Sequence, residues 1–220
     1  MSTTLILGSS GGIGSALSHA LRAQGEQVTG LSRSADGIDI TDEASVARHL
    51  KGLGPFDRVI VATGALEING AEPEKTIKAL NAQDMMAQFQ LNTLGPALVL
   101  SHAHRLLPRA QRCVFAVLSA RVGSISDNRI GGWVSYRSAK AAVNQVVHTA
   151  AIELARTHKQ AICVALHPGT VATPFTARYL GRHPAVPASE AAANLINVMN
   201  GLSPQDSGQF FDWAGKQIPW

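Results

Sequence analysis

Residues 5–17 read LILGSSGGIGSAL: an apolar run, a turn rich in glycine, then the small and apolar residues of a helix. Gly8, Gly12 and Gly14 fall at Gly-x-x-x-Gly-x-Gly spacing. In a strand–turn–helix unit one such glycine permits the tight turn. Another lets the backbone approach a diphosphate, and a third lets helix and strand pack closely. The helix that follows offers free N–H groups and the positive end of its dipole to an anion. No Gly-Lys-Ser/Thr follows, which excludes a P-loop.

The same logic extends along the chain. Six apolar runs, TTLILG, QVTGLS, RVIVATG, CVFAVLS, AICVALHPG and GQFFDW, alternate with helical patterns over 13–24, 42–52, 75–90, 91–107, 134–157 and 188–201. Near-continuous apolar strands between helices predict a parallel sheet covered on both faces. Repeated strand–helix–strand units predict a doubly wound α/β fold with right-handed crossovers. No internal repeat or Pro/Gly linker divides the chain, so residues 1–220 are expected to form one domain. The helix over 134–157 carries Ala139, Ala142, Val143, Val146, Val147, Ala150, Ala151 and Leu154 on several faces. Such a helix is buried on more than one side. The sheet covers one side, and a second subunit covering the other makes a homo-oligomer (dimer or tetramer) the expectation.

Composition narrows the function classes. With 220 residues, 45% hydrophobic and 15% charged, the chain is expected to be globular with a sizeable core. MSTTLILGSSGGIG lacks the basic n-region and long apolar run of a signal peptide. No stretch approaches the ~18–20 apolar residues of a membrane span. A cytoplasmic location and no membrane partner are therefore expected. Cys113 and Cys163 sit in apolar runs and read as core. The eight histidines show no ligand spacing, so no metal is expected. Net charge is +4 and the pI about 9.4, but Lys and Arg are dispersed. Nucleic-acid binding calls for a clustered basic face and is not expected. A basic background suits an anionic cofactor.

WVSYRSAK, residues 133–140, sets Tyr136 and Lys140 one helical turn apart. The spacing alone fits either an exposed neighbour pair or a proton-transfer pair. Together with the upstream glycine turn, however, Tyr-x-x-x-Lys resembles the short-chain dehydrogenase/reductase family. Further matches follow in order. VATGA (61–65) keeps only the glycine, Gly64, and an alanine of the family's Asn-Ala-Gly. LNTLG (91–95) puts Asn92 in the place of the family's helix asparagine, and HPGTVATPF (167–175) matches Pro-Gly-x-x-x-Thr with Pro168, Gly169 and Thr173. The stretch LSARVGSISDNRIGGWVSYRSAKAAVNQ and the ending FFDWAGKQIPW resemble the branch containing C-factor proteins and related carbonyl reductases.

The resemblance implies a Rossmann-type sheet of about seven strands with helices on both faces. It puts Gly8, Ser10, Gly12, Ile13 and Gly14 at the phosphates of a nicotinamide dinucleotide. Gly64 borders the same cleft, and Pro168, Gly169 and Thr173 lie at the nicotinamide end. GIDITD then borders the adenine, with Asp39 accepting from its amino group and Ile40 bonding through its backbone. Asp39 equally suits a turn before the next helix, where Thr41 or Asp42 also fits a cap. At the end of QVTGLSRSAD the tip residues are Ser32 and Arg33, with no acid. Arginine there accommodates a 2′-phosphate where a carboxylate would bind the ribose hydroxyl, so NADP(H) is expected over NAD(H). Asp36, three residues on, opposes that inference.

At the catalytic end the resemblance implies hydride transfer between nicotinamide and a carbonyl or alcohol carbon. Tyr136 would act as acid/base, Lys140 would lower its pKa and bond the nicotinamide ribose, and Asn92 would hold a water in a relay. A free phenol titrates near 10, and a nearby ammonium favours its charged form. The family's Ser-Ser pair reads Ser119-Ala120 here. Ala120 has no hydroxyl, which leaves Ser119, or alternatively Ser124, as stand-in. Residues 174–187 take the place of the family's substrate-covering loop. Phe175, Tyr179 and Trp133 are candidate walls for an apolar or aromatic carbonyl compound. The expectation is an NADP(H)-dependent oxidoreductase. The alternative, raised by Ala120 and the C-factor resemblance, is a dinucleotide-binding signalling or regulatory protein with vestigial catalysis.

Overall fold

Every residue of RVIV and CVFAVL is buried, as is most of AICVALH, and this burial on both faces makes these runs central strands. The computed structural model describes residues 1–173 and 185–220. In chain order its elements are β1 (Thr3–Leu7), α1 (Gly12–Ala23), β2 (Gln27–Leu31), α2 (Arg33–Asp36), α3 (Glu43–Leu50) and β3 (Arg58–Val61). There follow α4 (Ala82–Phe89), a π-helical turn (Gln90–Leu94), α5 (Gly95–Leu100), α6 (Ala103–Leu106), β4 (Cys113–Leu118) and α7 (Val134–Leu154). The chain closes with β5 (Ala161–His167), β6 (Val171–Ala172), β7 (Val186–Pro187), α8 (Ala188–Gly201) and β8 (Phe210–Asp212).

The main sheet runs β2-β1-β3-β4-β5-β8, parallel throughout. Strand order reverses direction between β1 and β3, the switch point at whose carboxyl ends ligands of such sheets bind. Alternate strand residues feed two cores. Leu5, Leu7, Val61 and Val117 meet Val143 and Val147 of α7 on one face. On the other, Ile6, Ile60 and Ile162 meet Leu17 of α1 and Leu195 of α8.

Among the described residues the main sheet has six strands, one per apolar run, in keeping with the expected sheet of about seven. The GIDIT segment, 37–41, does not join it. Asp39 N–H donates to Ser45 Oγ (3.0 Å) and Thr41 N–H to Asp39 Oδ1 (2.8 Å), so side chains take the amides a ladder would need. The helix expected over 75–90 begins only at Ala82, where Asn81 Oδ1 accepts from Gln83 (2.9 Å) and Asp84 (3.1 Å). The helix expected over 91–107 is divided into the π-helical turn, α5 and α6. Among the described residues no helix is long and apolar enough to cross a membrane.

Candidate active site

The turn between β1 and α1 accepts only glycine at its tightest point. A Cβ on Gly14 would stand 2.1 Å from the Gly8 carbonyl oxygen, and Gly8 itself holds a φ of 87°. A Cβ on Gly12 would meet Thr173 Cγ2 at 2.6 Å, which places the end of HPGTVAT over the glycine turn. The first intrahelical bond of α1 comes from Ser15 N–H to Gly11 O (2.8 Å). The N–H groups of Gly12, Ile13 and Gly14 precede it, and α1 has neither a capping side chain nor an acidic residue in its first turn. This is a cradle for an anion approached by backbone. Ser10 lies on its exposed rim and receives a hydrogen bond from Ser34 Oγ (3.0 Å).

Beside it, Ser32 caps α2 and Arg33 is exposed. Asp36 turns back, its carboxylate accepting Ser32 N–H at 2.8 Å. Asp39 Oδ1 accepts both the N–H (2.8 Å) and Oγ1 (2.7 Å) of Thr41. Those two bonds, chiefly the one from the hydroxyl, hold the Asp39 carboxyl below its ordinary range. Asp39 therefore makes the turn that the sequence allowed, and Asp42 caps α3. The Ile40 side chain is buried against Gly95.

The cleft floor brings Gly64, Asn92, Tyr136 and Lys140 together. A Cβ on Gly64 would lie 2.7 Å from Asn92 Oδ1 and 3.5 Å from Lys140 Nζ. Tyr136 and Lys140 are buried on α7, the ammonium 5.8 Å from the centre of the phenol ring. Lys140 Nζ donates to Leu118 O (3.0 Å) at the end of β4. The expected lowering of the phenol by the ammonium is not what this arrangement produces. Burial pushes Tyr136 well above the ordinary phenol range. Burial likewise lowers Lys140 to about 8. Desolvation penalises the charged form of each, and the ammonium spends its bond on a carbonyl.

Asn92 is buried and its amide fully engaged on the nitrogen side. Its amide bonds Ala65 on both sides, Nδ2 to Ala65 O (2.9 Å) and Oδ1 from Ala65 N–H (3.2 Å), and Nδ2 also donates to Gln88 Oε1 (2.7 Å). The side chain thus pins the loop after β3. Ser119 is buried and its hydroxyl donates to Asn144 Oδ1 at 2.6 Å. Ser124 Oγ donates to Pro219 O (2.5 Å) and accepts Asp127 N–H (3.1 Å). Ala120 opens the turn that follows β4. Gly169, at φ 81°, packs against the Trp213 indole, and Pro168 precedes it. Trp133 sits edge-on to Tyr136, ring centres 6.3 Å apart. Phe175 and Tyr179 lie outside the described residues.

Comparison with known proteins agrees with this geometry. A family profile described as short chain dehydrogenase matches residues 37–182. The chain belongs to the short-chain dehydrogenase/reductase family. As a family member it is an oxidoreductase for alcohol and carbonyl groups. It is 31% identical over 236 aligned positions to 1-hydroxy-2-glutathionyl-2-methyl-3-butene dehydrogenase of Rhodococcus sp. (strain AD45), covering all of both chains. It is 34% identical over 137 residues to C-signal of Myxococcus xanthus, covering 62% of this chain and 79% of that one. Among solved structures it resembles the NADPH-bound carbonyl reductase from chicken fatty liver, 25% identical with a TM-score of 0.80, covering 99% of this chain and 98% of that one.

One contributor to this family site escaped the sequence reading. Gln88 is buried, and its Nε2 donates to Leu66 O (2.8 Å) while its Oε1 accepts from Asn92. Its signal was a second amide one helical turn before Asn92, a pair that i,i+4 spacing brings together.

Proposed function

We propose that this family member is an NADP(H)-dependent carbonyl reductase or alcohol dehydrogenase built as one domain over residues 1–220, with Tyr136 as its acid/base. The observation that carries the reading is the buried Tyr136–Lys140 pair beside Gly64, at the carboxyl ends of the strands where the glycine cradle opens. When bound, a nicotinamide supplies or receives the hydride at the substrate carbon. This chain's residues do the rest. The N–H groups of Gly12, Ile13 and Gly14 meet the diphosphate, with Gly8 and Ser10 shaping its rim and Thr173 closing over it. Asp39, Ile40 and Gly64 border the adenosine side, and Pro168 and Gly169 the other end. Tyr136, held neutral by burial, is ready to give its proton to a carbonyl oxygen, which suits the reducing direction. The Lys140 ammonium, 5.8 Å from the phenol ring centre, would stabilise the phenolate left behind and meet ribose hydroxyls, and solvent would return the proton to Tyr136. Asn92 keeps the Ala65 backbone in place behind them, and Ser119 supports the site through Asn144.

Preference for NADP(H) is supported by Arg33, exposed and without an ion-pair partner among the described residues, and by Asp36 being folded back onto Ser32 N–H. A guanidinium fork suits a phosphate dianion. The chicken reductase was solved with NADPH. For the substrate we favour an apolar or aromatic carbonyl compound, with Trp133 as one wall. We further propose a cytoplasmic homo-oligomer, its contact the groove between α5 and α7, where Ala97, Leu100, Val146 and Ala150 lie among polar residues such as Gln145 and Thr149. Ala120, together with the committed hydroxyls of Ser119 and Ser124, favours a second reading: a dinucleotide-binding regulatory protein with vestigial catalysis.

Turnover separates the two. NADPH absorbance is followed against a panel of aromatic aldehydes and ketones, with binding of NADPH and NADH read by fluorescence titration. The enzyme reading expects consumption of NADPH, a loss of roughly 10²-fold or more in Tyr136→Phe, and tighter binding of NADPH than of NADH. Binding without turnover, or full activity in Tyr136→Phe, favours the regulatory protein.

A further inference from the structure

The helix that carries Tyr136 does not cap itself. Trp133, the residue at its N-terminal boundary, has a left-handed φ of 52°, makes no side-chain cap, and is followed by no acid in the first turn. The donors left open at a helix start need partners from elsewhere. Glu74, in the β3–α4 connection, partners the boundary residue Trp133 and one of those donors, Ser135 N–H. The Glu74 carbonyl accepts Trp133 N–H at 2.5 Å. Its Oε2 accepts Ser135 N–H at 3.3 Å, and its Oε1 accepts the Ser135 hydroxyl in a short hydrogen bond. Ser135 is buried, immediately before Tyr136.

The surroundings keep this contact close. A Cβ on Gly132 would stand 3.4 Å from Lys75 O and 3.5 Å from Glu74 O, so the two chain segments touch backbone to backbone. The Glu74 carboxylate forms no ion pair among the described residues. Its charge is therefore directed at the positive end of the α7 dipole. Trp133, held left-handed with its N–H on Glu74, presents its ring edge-on to the Tyr136 phenol. Backbone outliers of this kind persist only where the surroundings hold them, and they gather at working sites.

We propose that Glu74 is a positioning residue for the acid/base centre, fixing the first turn of α7 and with it Trp133 and the Tyr136 phenol. The proposal rests on Tyr136 being the proton donor. Misplacement of a reacting group by about 1 Å costs on the order of 10²-fold in rate. A cap that served stability alone would leave turnover of the folded protein intact.

The test compares wild type, Glu74→Ala, Glu74→Gln, Ser135→Ala and the Glu74→Ala/Ser135→Ala double variant, with Tyr136→Phe as control. The probes are NADPH and 4-nitrobenzaldehyde. Amide hydrogen exchange of the segment 133–137 gives a readout independent of activity. Glu74→Ala is expected to accelerate that exchange about tenfold or more. It is also expected to lower kcat by roughly 10–10²-fold with little change in the NADPH Kd. Glu74→Gln, which keeps an acceptor for Ser135 N–H and can donate to its hydroxyl, recovers most of kcat. The double variant is no worse than Glu74→Ala, because both remove one interaction. Should Glu74→Ala fail to fold, Ser135→Ala carries the same expectations in smaller measure. Unchanged exchange at 133–137, or faster exchange with wild-type kcat, overturns the proposal. If instead wild type does not consume NADPH, or Tyr136→Phe remains fully active, the Tyr136 reading fails first and the positioning role falls with it.

Discussion

Ala120 puts a methyl group at the end of β4, between buried Ser119 and the turn Arg121–Gly123. The neighbouring hydroxyls cannot readily replace the missing donor, since Ser119 is bonded to Asn144 and Ser124 to Pro219. A single preorganised donor at a developing oxyanion is worth about 10²–10³-fold in turnover. Ala120→Ser should therefore raise kcat with an aromatic aldehyde by at least about tenfold, while the KM for NADPH stays put. Equal turnover in the two proteins would show that the carbonyl oxygen is polarised from another position. The spacing of Tyr136 and Lys140 put them one helical turn apart but fitted an exposed pair equally; only the resemblance carried by the upstream glycine turn singled them out. Their protonation was not legible, because spacing says nothing of burial, and burial raises one group and lowers the other.

At the scale of elements, α4 and the π-helical turn act as a peg for the loop after β3. Asn92 brackets Ala65, and Gln88 holds Leu66 and the spare N–H of Asn92. Both amides are buried, so Gln88→Leu strands the Leu66 carbonyl and one Asn92 donor without water. An unsatisfied buried group costs about 1–3 kcal/mol. The variant should melt several degrees lower and bind NADPH more weakly, since Gly64 adjoins the loosened loop. Thermal melting with and without NADPH checks this; equal stabilisation of both proteins by NADPH would separate the peg from the cofactor cleft. The six strands were readable because burial on both faces leaves unbroken apolar runs such as RVIV and CVFAVL. The start of α4 was not. Residues 75–81 are helix-compatible, yet Glu74 is bonded to the start of α7 and Asn81 caps at Ala82. Only the second of those signals is local. The unladdered GIDIT segment is of the same kind, its amides taken by Ser45 and Asp39.

For the whole molecule, desolvation of titratable groups ties stability to pH, two bases among them: half-buried His167 and buried Lys140. His167, beside Arg121 and Asp212, is lowered to about 4, by burial first and by the Arg121 charge second, with Asp212 opposing. Lys140 is lowered to about 8 by burial. In each case the unfolded chain binds the proton more tightly, so stability rises with pH between the folded and unfolded values. The His167 contribution is complete above about 6.5 and is lost as pH falls toward about 4. The Lys140 penalty is present in full below about 8 and is relieved only as pH climbs toward 10.5. At about 1.4 kcal/mol per unit, each amounts to roughly 3 kcal/mol. Neutral pH therefore finds the fold carrying a desolvated ammonium, the one the proposed mechanism uses. Lys140→Met should remove that penalty, with the stranded Leu118 carbonyl offsetting about 1–3 kcal/mol of the gain, for a net stabilisation of about 0–2 kcal/mol at pH 7. It should also abolish turnover and remove the rise between about pH 8 and 9, above which the raised Cys113 and Cys163 thiols and the Tyr136 phenol pull stability down in both proteins, while keeping the decline below 6.5 to which His167 and His102 both contribute. Denaturant melts across pH 4 to 10 test this directly. If Lys140→Met is less stable than wild type at pH 7, or keeps the rise between about pH 8 and 9, the buried ammonium is not the group that couples stability to the proposed catalysis.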